Sequence, residues 1–165
     1  MADLTPPDEL HHGTEILFRE WQGSVADLVN AVEKGLAEEV APHGLALQEF
    51  NLLRACYELA RECTATELGR LLPVDPARIS RIVNTLVDNG LLRRRRTRED
   101  RRVVMLRLSE EGRELTSRIL RDILRYDARL TQGVGADEMQ VFLSVTAKII
   151  ANHAAMQQPE SPGTA

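Results

Sequence analysis

The stretch from Val74 to Arg107 constrains the fold more than any other part of the chain. Asp75 is a favourable N-cap residue, and Pro76 stands at the first helical position, where a missing N–H costs nothing. Gly90 suits the left-handed position that follows a helix. Between these signals the apolar residues recur every three or four positions, which predicts one buried helical stripe of Ile79, Ile82, Val83, Leu86 and Val87.

A cationic hairpin is predicted directly after this helix. A strand begins at Leu91–Leu92, a polar turn crosses residues 93–102, and a returning strand continues through Val103, Met105 and Arg107. Residues 76–107 hold ten arginines and three acidic residues, a net charge of +7 (10 − 3) in a chain of net charge −4. Such a cluster is often only a solvated surface. Here the hairpin shares its sign with the outward face of the helix, which carries Arg78, Ser80, Arg81, Asn84 and Thr85.

This shared charge favours nucleic-acid binding. A helix with a positive polar face fits the major groove of DNA, and hairpin arginines suit phosphates or the minor groove. Of the 21 basic residues only Lys34 and Lys148 are lysines. Arginine forms bidentate contacts with phosphate and guanine that lysine does not form.

Helices are predicted on both sides of this unit. A long first helix spans about 8–40 and ends at Pro42-His43-Gly44, and a second spans about 47–61 with Phe50, Leu53, Tyr57 and Ala60 inward. Thr64 and Thr66 are candidate caps of a short third helix that Pro73 closes. A short helix, a three-residue turn and the Asp75 helix form a helix-turn-helix, which the hairpin makes winged.

The C-terminal part predicts two further helices. Ser109 caps the first of them, which continues to about Thr131; Gly133–Gly135 is a hinge, and the last helix spans about 136–156. The terminal helices carry more apolar surface than a monomer buries, which suggests a helical dimer interface. We therefore expect a mainly α fold with a small β wing. Its parts are an N-terminal dimerisation helix (1–45), the winged helix-turn-helix domain (46–108), C-terminal dimerisation helices (109–157) and a disordered tail (158–165).

The segment ATELGRLLPVDPARISRIVNTLVDNGLLRRRRTREDRRVVMLRLSEEGREL resembles the MarR family of transcriptional regulators, and the resemblance extends over about residues 44–115. Asp100-Arg101-Arg102 matches the wing signature of the family, and Leu108–Gly112 matches the turn into the next helix. Two departures are visible. Ala46 replaces a usual threonine cap, and four consecutive arginines, 93–96, exceed the usual one or two at the base of the wing.

The resemblance implies a homodimer that binds double-stranded DNA at pseudo-palindromic operators as a transcriptional regulator. We expect a repressor that a small aromatic, phenolic or anionic effector releases from DNA. In the family, Asp100 would orient the arginine that enters the minor groove, Arg102. The expected DNA-binding residues are Thr64, Thr66, Arg78, Ser80, Arg81, Asn84, Arg94, Arg96, Arg98, Arg101 and Arg102.

An effector would bind where the first, second and fifth helices meet. The candidate residues are Trp21, Arg54, Tyr57 and Arg121. Two of them have a simpler interpretation as well. Trp21 suits the core of the dimer interface, and Arg121 belongs to a face that would pair with the acidic first helix, formed by Arg118, Arg121, Arg125 and Arg129.

Cys56 and Cys63 invite a second hypothesis, a regulator that senses thiol oxidation. Seven residues along a continuous helix would separate the two thiols by roughly 10 Å, which exceeds the reach of a disulfide. We therefore favour small buried cysteines, with an intersubunit bond or a sulfenate sensor as alternatives. A third hypothesis is an architectural DNA-binding protein without an effector.

Several other classes of protein are disfavoured by the sequence. No apolar run approaches the length of a membrane span, and no secretory signal begins the chain, so we expect a cytoplasmic protein. The four histidines lack the spacing of metal ligands, and we expect neither a metal site nor a cofactor. No catalytic motif is present, so we do not expect an enzyme.

Overall fold

The computed structural model describes residues 12–72, 74–96 and 103–157, with side chains from residue 20 onward. Within these ranges, six α-helices and one two-stranded sheet follow in the order α1 (His12–Val40), α2 (Leu47–Leu59), α3 (Ala65–Leu71), α4 (Pro76–Asp88), β1 (Leu92–Arg96), β2 (Val104–Leu108), α5 (Glu110–Leu130) and α6 (Ala136–Met156). A 3-10 turn, Ala41–His43, ends α1 at the predicted break. The predicted mainly α fold with a small β wing is confirmed.

The chain forms two compact units, Met1–Tyr126 and Asp127–Ala165, so α5 begins in the first and ends in the second. The first unit contains a continuous apolar core to which helices and hairpin both contribute. Its largest fully buried side chains include Phe50, Leu53, Leu68, Ile79, Leu86, Leu92, Leu106 and Ile119. In the second unit, α6 has no buried residue.

Helix α4 forms as predicted. The Asp75 carboxylate accepts a hydrogen bond from the Arg78 backbone N–H at 2.9 Å, which satisfies one of the unpaired donors of the first turn. Ile79, Ile82, Val83 and Leu86 are buried and Val87 is half-buried, while Gly90 has a left-handed φ of 74°. Burial of this stripe fixes the polar face of α4 on the solvent side.

The hairpin corrects one prediction. Arginines 93–96 were assigned to a polar turn, yet they belong to β1, which pairs with β2 from Leu92↔Leu108 to Arg96↔Val104. Leu92 is buried whereas the four arginines are exposed. Backbone pairing with β2 therefore decides their conformation, because both faces of the strand are exposed at these positions and do not penalise charge. Residues 97–102 lie outside the described part of the chain.

A second correction concerns the end of α2, which stops at Leu59 rather than near Arg61. Ala60 follows with a left-handed φ of 52°, so the backbone reverses direction there. Tyr57 is half-buried and packs against the core as predicted, whereas Ala60, which was also predicted to face the core, is exposed. The reversal brings the sulfur atoms of Cys56 and Cys63 to 3.9 Å, so the predicted separation along a continuous helix was wrong.

The junction between β2 and α5 is tightly packed. The Ser109 hydroxyl accepts a hydrogen bond from the Gly112 N–H at 2.9 Å and donates one to the Leu91 carbonyl at 3.1 Å, so Ser109 caps α5 as predicted. Gly112 is buried against Leu91, whose carbonyl oxygen would lie 2.1 Å from a Cβ at position 112. Within the described residues, no helix is long and apolar enough to cross a membrane.

Candidate nucleic-acid interface

The solvent face of α4 is polar, and its N-terminal half is cationic. Arg78, Ser80, Arg81 and Asn84 are all exposed. The Ser80 hydroxyl donates to the Pro76 carbonyl of its own helix at 3.0 Å. The arginine side chains form no ion pair with a neighbouring acid among the contacts of the described residues. A major groove admits a helix of this kind, so this face is suited to contact base edges.

The first strand of the hairpin extends this surface. The Arg94 guanidinium donates a hydrogen bond to the Asn84 side-chain oxygen, which joins the wing to α4. A groove of about 460 Å³ lies between the two elements, and its lining includes Ser80, Asn84, Arg94 and Arg96. We call the exposed set of Arg78, Ser80, Arg81, Asn84, Arg94 and Arg96 the arginine surface. The structure thus brings six of the predicted DNA-binding residues together.

Successive side chains of β1 point to opposite faces of the hairpin, so neighbouring arginines have different partners. Arg94 and Arg96 line the groove beside α4. Arg95, between them, instead contacts Glu62, with Nε–Oε1 and Nη2–Oε2 distances of 3.2 and 2.5 Å. The hydrogen bond from Arg95 lowers the pKa of the Glu62 carboxyl group. Sequence reasoning did not find Glu62, because nothing in its spacing connects it to a strand 33 residues away.

Thr64 has a structural task at the start of α3. Its hydroxyl accepts a hydrogen bond from the Glu67 backbone N–H at 3.2 Å, and the Glu67 carboxylate accepts one from the Thr64 backbone N–H at 2.8 Å. Arg61 donates to the same carboxylate at 2.8 Å, and this hydrogen bond is the main cause of the lowered pKa of Glu67. Thr66 is exposed. Contact of either threonine with DNA stays a prediction.

Four of the predicted wing residues lie outside the described part of the chain. These are the phosphate or groove contacts Arg98, Arg101 and Arg102, together with the orienting residue Asp100. Their roles stay predictions.

Two of the four effector candidates meet at one pocket. Tyr57 and Arg121 line a pocket of about 440 Å³ together with Arg113, Ser117 and Arg118. The Arg113 guanidinium carbon lies 6.0 Å from the centre of the Tyr57 ring. Arg113 was not among the candidates, so sequence reasoning missed this residue of the pocket.

The other two candidates do not line this pocket. Arg54 lies 3.7 Å from Glu58 on its own helix, and Trp21 is 42% exposed on α1. Arg125, predicted to pair with the acidic first helix, contacts Asp122 of its own helix at 2.9 Å. Among the residues that the structure describes, no three histidine, cysteine or carboxylate side chains gather as metal ligands.

The segment that carries the arginine surface matches a known protein family. Residues 43–103, which contain α2 to α4 and β1, match the model of the MarR family. This segment belongs to the MarR family. The predicted resemblance is confirmed over the residues that carry the arginine surface.

Relatives outside the family model agree with this assignment. The chain is 28% identical over 106 residues to the uncharacterized HTH-type transcriptional regulator YdgJ of Bacillus subtilis (strain 168). The match spans 64% of each chain, slightly less than two thirds of that protein. A second regulator of the same organism, YwhA, is 26% identical over 116 residues, which are 70% of this chain and 83% of YwhA.

Solved structures share the fold. A MarR-family regulator from Rhodococcus sp. RHA1 superposes with a TM-score of 0.71 at 20% identity, over 81% of this chain and 94% of that one. A mutant of E. coli MarR complexed with operator DNA superposes with a TM-score of 0.69 at 24% identity, over 77% and 91% of the two chains. At these identities the likeness establishes the winged helix fold alone.

Proposed function

We propose that this chain is a sequence-specific DNA-binding transcriptional regulator, a repressor that binds a pseudo-palindromic operator as a homodimer. The observation that carries this proposal is the arginine surface. Its four guanidinium groups are exposed, continuous between α4 and β1, and held by a rigid scaffold, since the opposite face of α4 is buried in the core. Arginine on a groove-sized helix supports both phosphate contact and base readout. The fold shared with E. coli MarR, whose mutant is complexed with operator DNA, supports the same use of the fold here.

DNA selection tests this function. The purified protein, incubated with a randomised duplex pool at fixed salt, should enrich a sequence with two inverted half-sites. Arg81→Ala should weaken binding to the selected duplex by about 1–3 kcal/mol and relax its sequence preference if Arg81 contacts a base edge. Arg94→Ala should weaken binding to all sequences and reduce the salt slope by about 1 if Arg94 contacts a phosphate.

Arg125→Ala is the matched control for these variants. It removes the same charge from an exposed position on α5, outside the arginine surface. Its affinity for the selected duplex should equal that of the wild type. An equal loss in Arg125→Ala and Arg81→Ala would mean that net charge alone governs binding. Enrichment without inverted half-sites would favour an architectural DNA-binding protein instead.

The dimer part of the proposal rests on two exposed apolar faces. On α1, Trp21, Val25, Leu28 and Val29 are each 41–48% exposed. On α6, the exposed apolar residues include Phe142, Leu143, Val145, Ile149 and Ile150. Exposed apolar area of this kind marks a surface for protein association. Light scattering should give a mass of twice 18.5 kDa for the wild type and a shift toward 18.5 kDa for Leu28→Glu. An unchanged mass would contradict the placement of the interface on α1.

The effector part rests on the pocket beside Tyr57. Arg113, Arg118 and Arg121 line this pocket with Tyr57 and one acidic residue, Glu114, so the lining carries a net positive charge and an aromatic ring that suit an aromatic anion. A panel of aromatic carboxylates and phenols should raise the melting temperature and release the selected duplex. Arg121→Ala should lower both effects, with Arg125→Ala again unaffected. Absence of both effects across the panel would favour a regulator without such an effector.

A further inference from the structure

Asn84 and Arg94 meet across the groove between α4 and β1. The Arg94 guanidinium donates a hydrogen bond from Nη2 to the side-chain oxygen of Asn84, Oδ1. Both side chains are exposed, and both line the groove of about 460 Å³. The contact therefore lies within the arginine surface, and it changes what the Asn84 amide offers to a DNA base.

The orientation of the Asn84 amide follows from the chemistry of its partner. A guanidinium group carries donors and no acceptor, so the half of the amide that meets Arg94 must be the oxygen. The other half, the Nδ2 amine, stays free of Arg94, and an amine of this kind only donates hydrogen bonds. Toward solvent, Asn84 is therefore a donor.

Both walls of the groove have fixed positions. Asn84 follows Val83 in α4, and the Val83 side chain is buried in the core. On the other wall, Arg94 is paired in the hairpin with Leu106, which is buried as well. The adjacent Arg95 is bound to Glu62 and does not line the groove. The separation between Asn84 and Arg94 is thus set by core packing.

A free asparagine amide suits adenine in the major groove, because it accepts from the N6 amine and donates to N7 of the same base. Asn84 is the only amide of the arginine surface, so it is the residue there that would read adenine in this way. Its oxygen already accepts from Arg94. An adenine N6 amine that approached this oxygen would meet a cationic donor beside it.

Guanine matches the paired amide better than the other bases do. It presents two acceptors in the major groove, O6 and N7, whereas thymine presents the single acceptor O4 beside a methyl group. Adenine and cytosine each present an amine at this edge, and an amine facing donors leaves both groups unsatisfied. The hydrogen-bonding pattern of the pair therefore favours guanine.

We propose that Arg94 sets the base preference of Asn84, so that the pair selects guanine and rejects adenine at one position of each operator half-site. The Asn84 Nδ2 amine donates to guanine O6 or N7, while Arg94 holds the amide oxygen away from the base edge. Asn84 is the residue that touches the base, and Arg94 is a positioning residue. This inference rests on the proposed function.

Single-base changes in the selected duplex test the assignment. Affinities of the full-length protein and its variants are measured at one salt concentration, with each base pair changed symmetrically in both half-sites. The base pair at which Asn84→Ala loses the preference of the wild type is the pair that Asn84 contacts. There the wild type should bind guanine more tightly than adenine by roughly 5- to 150-fold, the usual discrimination of one good side-chain contact.

Arg94→Ala frees the acceptor oxygen of Asn84 and should change the preferred base at that pair from guanine to adenine. A phosphate contact of Arg94 would weaken all duplexes by the same factor, so its loss cannot change the ratio between the two bases. Arg96→Ala is the matched control, because Arg96 has the same charge and lines the same groove, whereas the Asn84 oxygen is bonded to Arg94. This control should keep the guanine preference.

The double variant Asn84→Ala/Arg94→Ala shows whether the new preference comes from the amide. It should have no preference at this pair, because the amide that would read adenine is absent. In the protein without DNA, the side-chain amide resonances of Asn84 are assigned by their absence in Asn84→Ala. They should shift in Arg94→Ala and stay in place in Arg96→Ala. Unchanged resonances in Arg94→Ala would overturn the pairing itself.

The remaining outcomes separate this inference from the proposed function. Adenine preferred by the wild type, guanine still preferred by Arg94→Ala, or no base pair affected by Asn84→Ala would refute the role of the pair while DNA binding stands. Because Asn84 and Arg94 are exposed, the variants should fold, and circular dichroism checks this. If the wild type selects no duplex, the proposed function fails and this inference fails with it.

Discussion

In the substitution Gly112→Ala, helix propensity and tertiary packing have opposite effects on stability. Position 112 lies in the first turn of α5, where alanine is more favourable than glycine by about 1 kcal/mol if the local helix alone decides. A Cβ at this position would lie 2.1 Å from the Leu91 carbonyl oxygen and 3.0 Å from the carbonyl carbon. Both neighbours are backbone atoms, so no side-chain rotation relieves the overlap.

The magnitude follows from the bonds that the required movement breaks. The Leu91 carbonyl accepts hydrogen bonds from the Ser109 N–H and from the Ser109 hydroxyl, both at 3.1 Å. Each bond contributes about 1 kcal/mol, and a buried polar group left without a partner costs about 1–3 kcal/mol more. After the propensity gain is subtracted, we expect Gly112→Ala to lower the free energy of unfolding by about 2–4 kcal/mol.

Urea unfolding followed by circular dichroism measures this difference, with all proteins at one concentration because association changes apparent stability. Gly69→Ala is the matched control in α3, where an added Cβ would meet only Ile79 Cγ1 at 4.0 Å. We expect it to raise the free energy of unfolding by up to about 1 kcal/mol. If Gly112→Ala is as stable as the wild type while the control behaves as expected, the packing argument is refuted.

Three further predictions concern the segment that joins α2 to the wing. Ala60→Gly should raise the free energy of unfolding by up to about 1 kcal/mol in urea, since glycine removes a left-handed strain of roughly 1–2 kcal/mol but loses more chain entropy. Glu62 and Glu67 have lowered pKa values in the folded protein, so both stabilise it. Their contribution to the free energy of unfolding is present above the ordinary glutamate pKa of about 4.3 and is lost as pH falls through the lower folded value. The free energy of unfolding of a variant with both Glu62→Gln and Glu67→Gln should therefore depend less on pH in this range. Leu106→Ala should cost about 2–5 kcal/mol by the same urea assay, because Leu106 is 1% exposed.

The sequence alone determined the elements whose signals are local. The cap at Asp75, the stripe from Ile79 to Leu86 and the glycine at position 90 each act within a few residues, and each was predicted correctly. The exposed polar face of α4 follows from that stripe, because the two faces of one helix are fixed relative to each other. The arginines of α4 were therefore assigned to one surface before any tertiary contact was known.

The tertiary structure decided what depends on partners distant in the chain. Arginines 93–96 form a strand because β2 pairs with them, and Glu62 selects Arg95 across 33 residues, which leaves Arg94 beside Asn84. The close approach of Cys56 and Cys63 depends on Ala60, an alanine in a conformation that its own steric preference disfavours. Local propensity predicts that α2 continues through this point. The backbone instead turns there because the hydrogen bonds of Cys63 to Leu106 hold the next segment against the wing.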